Sequence, residues 1–413
     1  MINTSEKTSV VRELVRLPVI VAALGYLVDM YDLFLFSIVR VPSLLDLGLT
    51  GDQLLEDGVL LLNMQMAGLL IGGIFWGVLG DKKGRLSVLF GSILIYSLAN
   101  IANGLVQTVP QYAVLRFIAG VGLAGELGAG ITLVSEILPK KIRGYGTTLV
   151  ATLGVFGAIL AYFVAEVFEW RASYFIGGGL GLLLLVMRVR VFESGIFLQS
   201  KEKHIQRGNV WMLFNNRERF FRYLKCIVVG LPIWFVVGVL ITFSPEFGEA
   251  IGLDTPVEAG IAVMLSFASQ AFGNVTSGLL SQYTQSRKKI MGLFILMSFL
   301  FTLVYLLMPV DNVYLFYFFC ILLGFSNGYW TLFVTVAAEL FGTNLRATVA
   351  TTVPNFVRGA IIPITLLFLS LRGPLGIINS ALVVAVLTTA LALWALYSLH
   401  ETFHKDMDYL EEN

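Results

Sequence analysis

The stretch Gly80-Asp81-Lys82-Lys83-Gly84-Arg85 is a charged turn set between the apolar runs 59–80 and 86–107. Each run has about the 20 residues that a helix needs to cross the hydrocarbon layer of a bilayer. Outward from this turn the same alternation continues. Runs at 18–40, 111–137, 145–167 and 171–188 complete a first group of six. Runs at 223–245, 258–281, 289–308, 312–340, 347–370 and 375–399 form a second. The breaks at Pro139-Lys140-Lys141-Ile142-Arg143 and Arg287-Lys288-Lys289 are as charged as the first. The N-terminus is polar, and no small-residue cleavage site follows the first apolar run. That run is therefore expected to be a membrane helix and not a removed signal.

Composition points the same way. The chain has 413 residues, 57% hydrophobic and 13% charged, against about 25% charged in soluble domains. Mean hydropathy is +0.83. A soluble enzyme could not hide that much apolar surface, and a disordered chain would lack it. The net charge of +1 gives no global basic field, so no nucleic-acid partner is expected. Cys226 and Cys320 lie in separate apolar runs without metal spacing. His204, His400 and His404 all fall outside the runs. No metal and no cofactor are expected.

Lys and Arg set the orientation. With the N-terminus inside, 23 of the 28 fall on the cytoplasmic side: the N-terminus, the turns 82–85 and 140–143, the stretch 188–225, the turn 287–289, Arg346 and Lys405. Both termini are then cytoplasmic, in a multi-pass plasma-membrane protein. The loop 41–58 is outside. The expected organisation is an N-terminal six-helix bundle (1–190), a cytoplasmic linker (191–222) and a C-terminal bundle with its tail (223–413). In the linker, Trp211 with Val210, Leu213, Phe214, Phe220 and Phe221 among basic residues reads as an amphipathic interfacial helix.

The halves look related. Ser-Glu-Ile-Leu-Pro-Lys-Lys-Ile-Arg-Gly at 135–144 matches Ala-Glu-Leu-Phe-Gly-Thr-Asn-Leu-Arg-Ala at 338–347. Glu136 maps to Glu339 and Arg143 to Arg346, and the 80–85 turn maps loosely to 281–287. Twelve helices in two pseudo-symmetric six-helix bundles are a transporter architecture. Small residues at helical spacing, Gly73 and Gly77, then Gly120, Ala124 and Gly128, suit close helix packing.

These residues resemble the major facilitator superfamily. Gly80–Arg85 matches its G-D-x-x-G-R turn between helices 2 and 3. The run from Arg116 to Glu126 looks like the R-x-x-x-G-x-G-x-G-G-E helix 4 of metabolite–proton symporters. Arg188–Ser194 resembles the R-R-x-x-x-E-S-P segment after helix 6 of sugar and metabolite symporters, with Gly195 in place of Pro. Asp29-Met30-Tyr31-Asp32-Leu33-Phe34 is similar to helix 1 of metabolite symporters and of phosphate–proton symporters. The phosphate branch's G-D-Y-P is absent, because Gly125-Glu126-Leu127-Gly128 stands there. The resemblance implies a cytoplasmic gate of Asp81, Arg85, Glu136, Arg143, Glu339 and Arg346, with Glu136–Arg143 and Glu339–Arg346 as pairs. It implies that Asp32 is the proton site and that Arg116 controls it.

Ionisable residues within the runs are functional candidates by default, since insertion costs about 2.5–3.5 kcal/mol. Asp29 and Asp32 share one face of helix 1. Two carboxylates so close in low dielectric do not both stay charged. Asp29 and Glu126 are second proton candidates. Arg358 lies 12 residues past Arg346, roughly 18 Å deep, and its guanidinium suits a carboxylate. Asn355, Tyr31, Tyr329, Trp330, Gln270 and Asn274 are its expected companions around a substrate, with Asn63 and Gln65 weaker candidates. The expectation is proton-coupled import of a small anionic or zwitterionic metabolite by a monomer in the lipid bilayer. Two alternatives stand: a proton-antiport exporter, although helix 5 (Leu153–Ile159) lacks the exporters' G-P-x-x-G-G, and a membrane sensor without transport.

Overall fold

The computed structural model describes residues 13, 15–83, 85–138, 143–188, 212–403 and 411. Their secondary structure is helical, with no strand among the described residues. The first half holds α1 (Leu17–Asp46), α2 (Asp52–Lys83), α3 (Arg85–Asn103), α4 (Val109–Leu123), α5 (Glu126–Ile137), α6 (Arg143–Val167) and α7 (Trp170–Arg188). The second holds α8 (Met212–Asn215), α9 (Arg217–Val229), α10 (Leu231–Phe235), a π-helical turn (Val236–Ile241), α11 (Ser244–Ile251), α12 (Ala259–Thr284), α13 (Arg287–Leu307), α14 (Val313–Ser326), α15 (Trp330–Glu339), α16 (Thr343–Gly359) and α17 (Ile361–Ser398). Nine helical stretches among the described residues are long and apolar enough to cross a membrane. One of them, 348–398, is divided at Gly376, whose φ of 76° is non-helical. The helices α6 and α12, of 25 and 26 residues, complete a set consistent with twelve passes.

Two passes are broken at matching places. Helix 4 stops at Leu123 and resumes at Glu126, and helix 10 stops at Ser326 and resumes at Trp330. Ala124 and Asn327 at these breaks have the same separation as Glu136 and Glu339. The backbone groups freed by each break find side-chain partners, as buried polar groups must. Trp76 Nε1 donates to the Val121 carbonyl at 2.7 Å. In the other half Ser277 Oγ donates to the Gly328 carbonyl at 2.6 Å, and the Thr331 N–H donates to Asn274 Oδ1 at 3.3 Å.

Two sequence expectations are corrected. Residues 41–58 are not one loop. Helix α1 runs to Asp46 with Pro42 inside it, and α2 begins at Asp52, which leaves a short connection. Arg188, counted among the basic residues of the cytoplasmic stretch 188–225, ends α7 and is 1% exposed. Trp211 and Val210 of the expected amphipathic helix lie outside the described residues.

The halves meet along α1 and α12, where the Phe34 and Phe267 rings are 4.1 Å apart. They meet again along α2 and α16, where Gly73 faces Asn355 and Gly359 faces Leu70. Towards the 47–51 connection, the fully buried Arg40 crosses between the halves. It pairs with Glu246 at 2.7 Å and donates to the carbonyls of Leu54 at 2.9 Å and Thr242 at 3.3 Å.

Candidate functional site

A small central cavity of about 40 Å³ lies between the halves. Helix α1 lines it with Tyr26, Met30, Leu33 and Phe34, and α6 with Val155. Ile233, Trp234 and Val237 come from the seventh pass. Phe267, Gln270 and Asn274 come from α12, Trp330 and Thr331 from α15, and Arg358 from α16. Helix α1 reaches the cavity with residues at helical spacing, which share one face.

Arg358 is 1% exposed. Its guanidinium carbon sits 6.0 Å from the Trp234 ring centre, and Nη1 reaches Asn355 Oδ1 at 3.5 Å. Among the described residues no carboxylate lies within salt-bridge distance of it. Asp29 is nevertheless an electrostatic neighbour of Arg358, and Glu126 and Arg188 are further charged neighbours of that aspartate.

Several expected cavity residues point elsewhere. The Tyr329 hydroxyl donates to the Val229 carbonyl at 3.2 Å, so this ring packs α15 against α9 while its neighbour Trp330 faces the cavity. The Tyr31 hydroxyl donates to the Ser173 carbonyl at 2.8 Å. Asn355 is no part of the cavity wall. Its Nδ2 donates to the Ala124 carbonyl at 3.0 Å, at the break in helix 4, and its Oδ1 holds Arg358. Gln270 and Asn274 do line the cavity.

Asp29 and Asp32 are fully buried, and among the described residues none of their four carboxylate oxygens has a hydrogen-bond partner. Gly177 leaves the room that Asp32 Oδ1 occupies, and Asn100 lies beside it. Arg116 is near but does not pair with Asp32. It donates to Gln65 Oε1 and, at 3.5 Å, to the Tyr174 hydroxyl, and lies 4.7 Å from the Phe36 ring centre. Expected as a pair that closes and opens, Asp32 and Arg116 stand open here.

Glu126, expected as a second proton candidate, has both oxygens held by Arg188, one through Nη2 and the other by Nη1 at 3.0 Å. Arg188 Nη1 also donates to the Leu89 carbonyl at 2.7 Å. A methyl group at Gly25 would overlap this pair, so α1 passes it with a glycine.

At the opposite end of the bundle from Arg40, Glu339 pairs with Arg287 at 2.7 Å. The expected partner, Arg346, is an electrostatic neighbour. The side chains of Asp81, Arg85, Glu136 and Arg143 lie outside the described residues. Outside the apolar spans, Glu401 caps α13. Burial works against its charge. Hydrogen bonds from the Ser286 hydroxyl and from the N–H groups of Arg287, Phe403 and Thr402 outweigh burial and hold its carboxyl below the usual range.

A family model of the Major Facilitator Superfamily matches residues 22–363. The chain belongs to that superfamily. It is an integral, multi-pass membrane protein. It is 28% identical to the cis,cis-muconate transport protein of Acinetobacter baylyi over 375 residues, 86% of this chain and 88% of that one. It is 25% identical to the gentisate transporter of Corynebacterium glutamicum over 401 residues, 91% of this chain and 86% of that one. It is 31% identical to the niacin transporter of Acinetobacter baylyi over 185 residues, which span 44% of this chain and 41% of the relative's length. Among solved structures, the D-xylose–proton symporter superposes with a TM-score of 0.71 at 16% identity, covering 94% of this chain and 98% of that one. That likeness is one of fold.

Proposed function

We propose that the chain is a secondary active transporter that imports a small organic anion together with protons by alternating access. The observation that carries this reading is Arg358: a buried guanidinium in the wall of a central cavity, with no carboxylate in salt-bridge distance among the described residues. Such a group calls for an anionic ligand, and a carboxylate can take two of its N–H donors at once. The lining described here carries no carboxylate that would hold an ammonium group, which favours an anion over a zwitterion. Phe34, Trp234, Phe267 and Trp330 offer flat apolar walls. The relatives named for muconate, gentisate and niacin fit the same chemistry, a planar unsaturated acid.

Asp32 is the proton site in this reading, with Arg116 its controlling cation and Asp29 one turn away. Glu126 serves Arg188 and not the proton. The halves 1–190 and 223–413 rock about the cavity, with both termini on the cytoplasmic side of the plasma membrane. Asp81, Arg85, Glu136, Arg143, Glu339 and Arg346, joined by Arg287, close the cytoplasmic end. Arg40 and Glu246 close the outer end. The protein works as a monomer.

Competition for uptake of labelled gentisate into proteoliposomes tests the substrate class. Planar carboxylic acids should compete and their neutral amides should not. Arg358→Ala should remove binding of the acids. If affinity is unchanged in Arg358→Ala, or if amides and neutral sugars compete as well as acids, the reading fails.

A further inference from the structure

Arg116 is a fully buried guanidinium held by neutral groups. Its Nη2 donates to Gln65 Oε1, and Nη1 donates to the Tyr174 hydroxyl at 3.5 Å. That hydroxyl in turn shares a hydrogen bond of 2.6 Å with the Tyr112 hydroxyl. Asp32, fully buried as well, has no hydrogen-bond partner among the described residues. The two groups are close. The Arg116 guanidinium carbon lies 4.7 Å from the Phe36 ring centre, and Phe36 is one turn along α1 from Asp32. A guanidinium and a carboxylate so placed in a low-dielectric interior attract each other strongly. A protonated carboxyl exerts no such pull. The open arrangement is therefore that of a neutral Asp32, with Arg116 kept by Gln65.

Close helix packing puts Gln65 there. A methyl group at Gly120 would run into the Gln65 carbonyl, and one at Gly68 into the Phe117 carbonyl, so α2 and α4 touch backbone to backbone. Gln65 thus stands beside Arg116, one turn before Gly120. It is fully buried and no part of the cavity wall. An amide oxygen suits the place. It accepts from a guanidinium but carries no charge, so it holds Arg116 less firmly than a carboxylate would and can give it up. The other groups around Asp32 are Asp29 and Tyr31 on its own helix, Tyr96 and Asn100 on α3, and Tyr174 on α7. Glu126 of α5 is taken by Arg188. The charged residues of α2 lie towards its two ends. The described titratable groups of α6, Tyr162 and Glu166, neighbour Glu258 instead, and α12 carries only the exposed Tyr283. Arg116 is the cation that stands beside Asp32.

We infer that Gln65 is the positioning residue of the proton switch: it holds Arg116 off Asp32 while Asp32 carries its proton, and yields Arg116 to Asp32 when the proton leaves. This rests on the reading of Asp32 as the proton site and adds what Arg116 binds at the other stage of the cycle. Two substitutions at this position then act with opposite sign. In Gln65→Leu the acceptor is gone, and Arg116 turns to Asp32 and favours loss of its proton. In Gln65→Glu a carboxylate keeps Arg116, and the added negative charge also favours the proton on Asp32.

Infrared spectroscopy of the purified full chain, recorded against pH, follows the C=O stretch of protonated carboxyl groups. The Asp32 band is the one lost when Asp32→Asn is added to the same background. Gln65→Leu should lower the pH at which that band is half lost by about one unit or more, the weight of one hydrogen bond to a charged group. Gln65→Glu should raise it. A general loosening of the bundle would move both variants the same way. Each variant has a signed expectation of its own, so either one that folds decides. If the wild-type band titrates but a folded variant leaves its midpoint unmoved or shifts it in the opposite direction, Gln65 has no such role and the symport reading stands. If no wild-type band is lost on adding Asp32→Asn, or no pH removes that band, Asp32 is not the proton site, and the assignment of Gln65 falls with that reading.

Discussion

Replacing Glu126 by Gln separates a structural role from a proton-carrying one. The carboxylate is 1% exposed, as is Arg188, and both oxygens are engaged, with Ser92 Oγ a further neighbour at 3.5 Å. Removing its charge leaves a buried guanidinium with the Leu89 carbonyl as its main partner. Breaking one side of a buried pair costs about 3–5 kcal/mol, whereas replacing both members with apolar residues is often neutral. Gln still accepts one hydrogen bond, so the lower figure applies, about 3 kcal/mol. For a bundle of roughly 150–250 residues that melts as one unit, this lowers Tm by about 6–12 °C. Trp76 is buried against Gly125, just before α5, so intrinsic fluorescence reports this region. Glu126→Gln should melt early, and Glu126→Gln with Arg188→Met should recover most of the loss. Folded Glu126→Gln should keep pH-driven accumulation. The reasoning is refuted if the single variant melts within about 2 °C of wild type, less than 1 kcal/mol on the same scale. It is also refuted if the double variant is no better than the single, or if folded Glu126→Gln loses proton coupling.

Arg40→Met should loosen the outer end, because it removes hydrogen bonds to Glu246, Thr242 and Leu54 that include a charged partner worth about 1.5–3 kcal/mol. A cysteine at the buried Ser37 should then react with an impermeant maleimide at least tenfold faster, about the factor for 1.4 kcal/mol, and an unchanged rate would count against the latch. Glu401, held low by its hydrogen bonds, stabilises the fold above the ordinary carboxylate range, and its contribution is lost as pH falls through the folded value. The melting difference between wild type and Glu401→Gln should thus be constant above about pH 5 and shrink on acidification, and growth of the difference in acid would contradict the assignment. Gly120→Ala drives a methyl into the Gln65 carbonyl and should cost about 1–3 kcal/mol. Gly77→Ala meets nothing within 4 Å and should be neutral or stabilise by up to about 1 kcal/mol, so equal thermal shifts for the two would show that the packing is misassigned.

The membrane class, the paired halves and the burial of Asp29, Asp32 and Arg358 were legible because each depends on local composition or on a repeat. Partners were not legible. Arg188 ends an apolar run and begins a basic stretch, and only the packing of α7 against α1 and α3 brings its side chain to Glu126. Arg40 and Glu246 are 206 positions apart, and no local pattern links them. Tyr329 and Trp330 sit side by side near the same depth, and the break in helix 10 sends one to the cavity and the other to a backbone carbonyl. The glycine-rich run near Ala124 signalled close packing, but not that Asn355 of the other half would take the carbonyl freed there. A polar residue in an apolar run marks depth; what it faces is set by rotation and by breaks that follow from tertiary packing.

The most direct test of the central claim is accumulation of gentisate by proteoliposomes holding the purified chain. With the outside more acidic, the internal concentration should rise above the external one, collapse on adding a protonophore, and fail to rise in Asp32→Asn, which should still exchange labelled for unlabelled gentisate. Equilibration without accumulation in the wild type, or undiminished accumulation in Asp32→Asn, would contradict a proton-driven carrier working through helix 1.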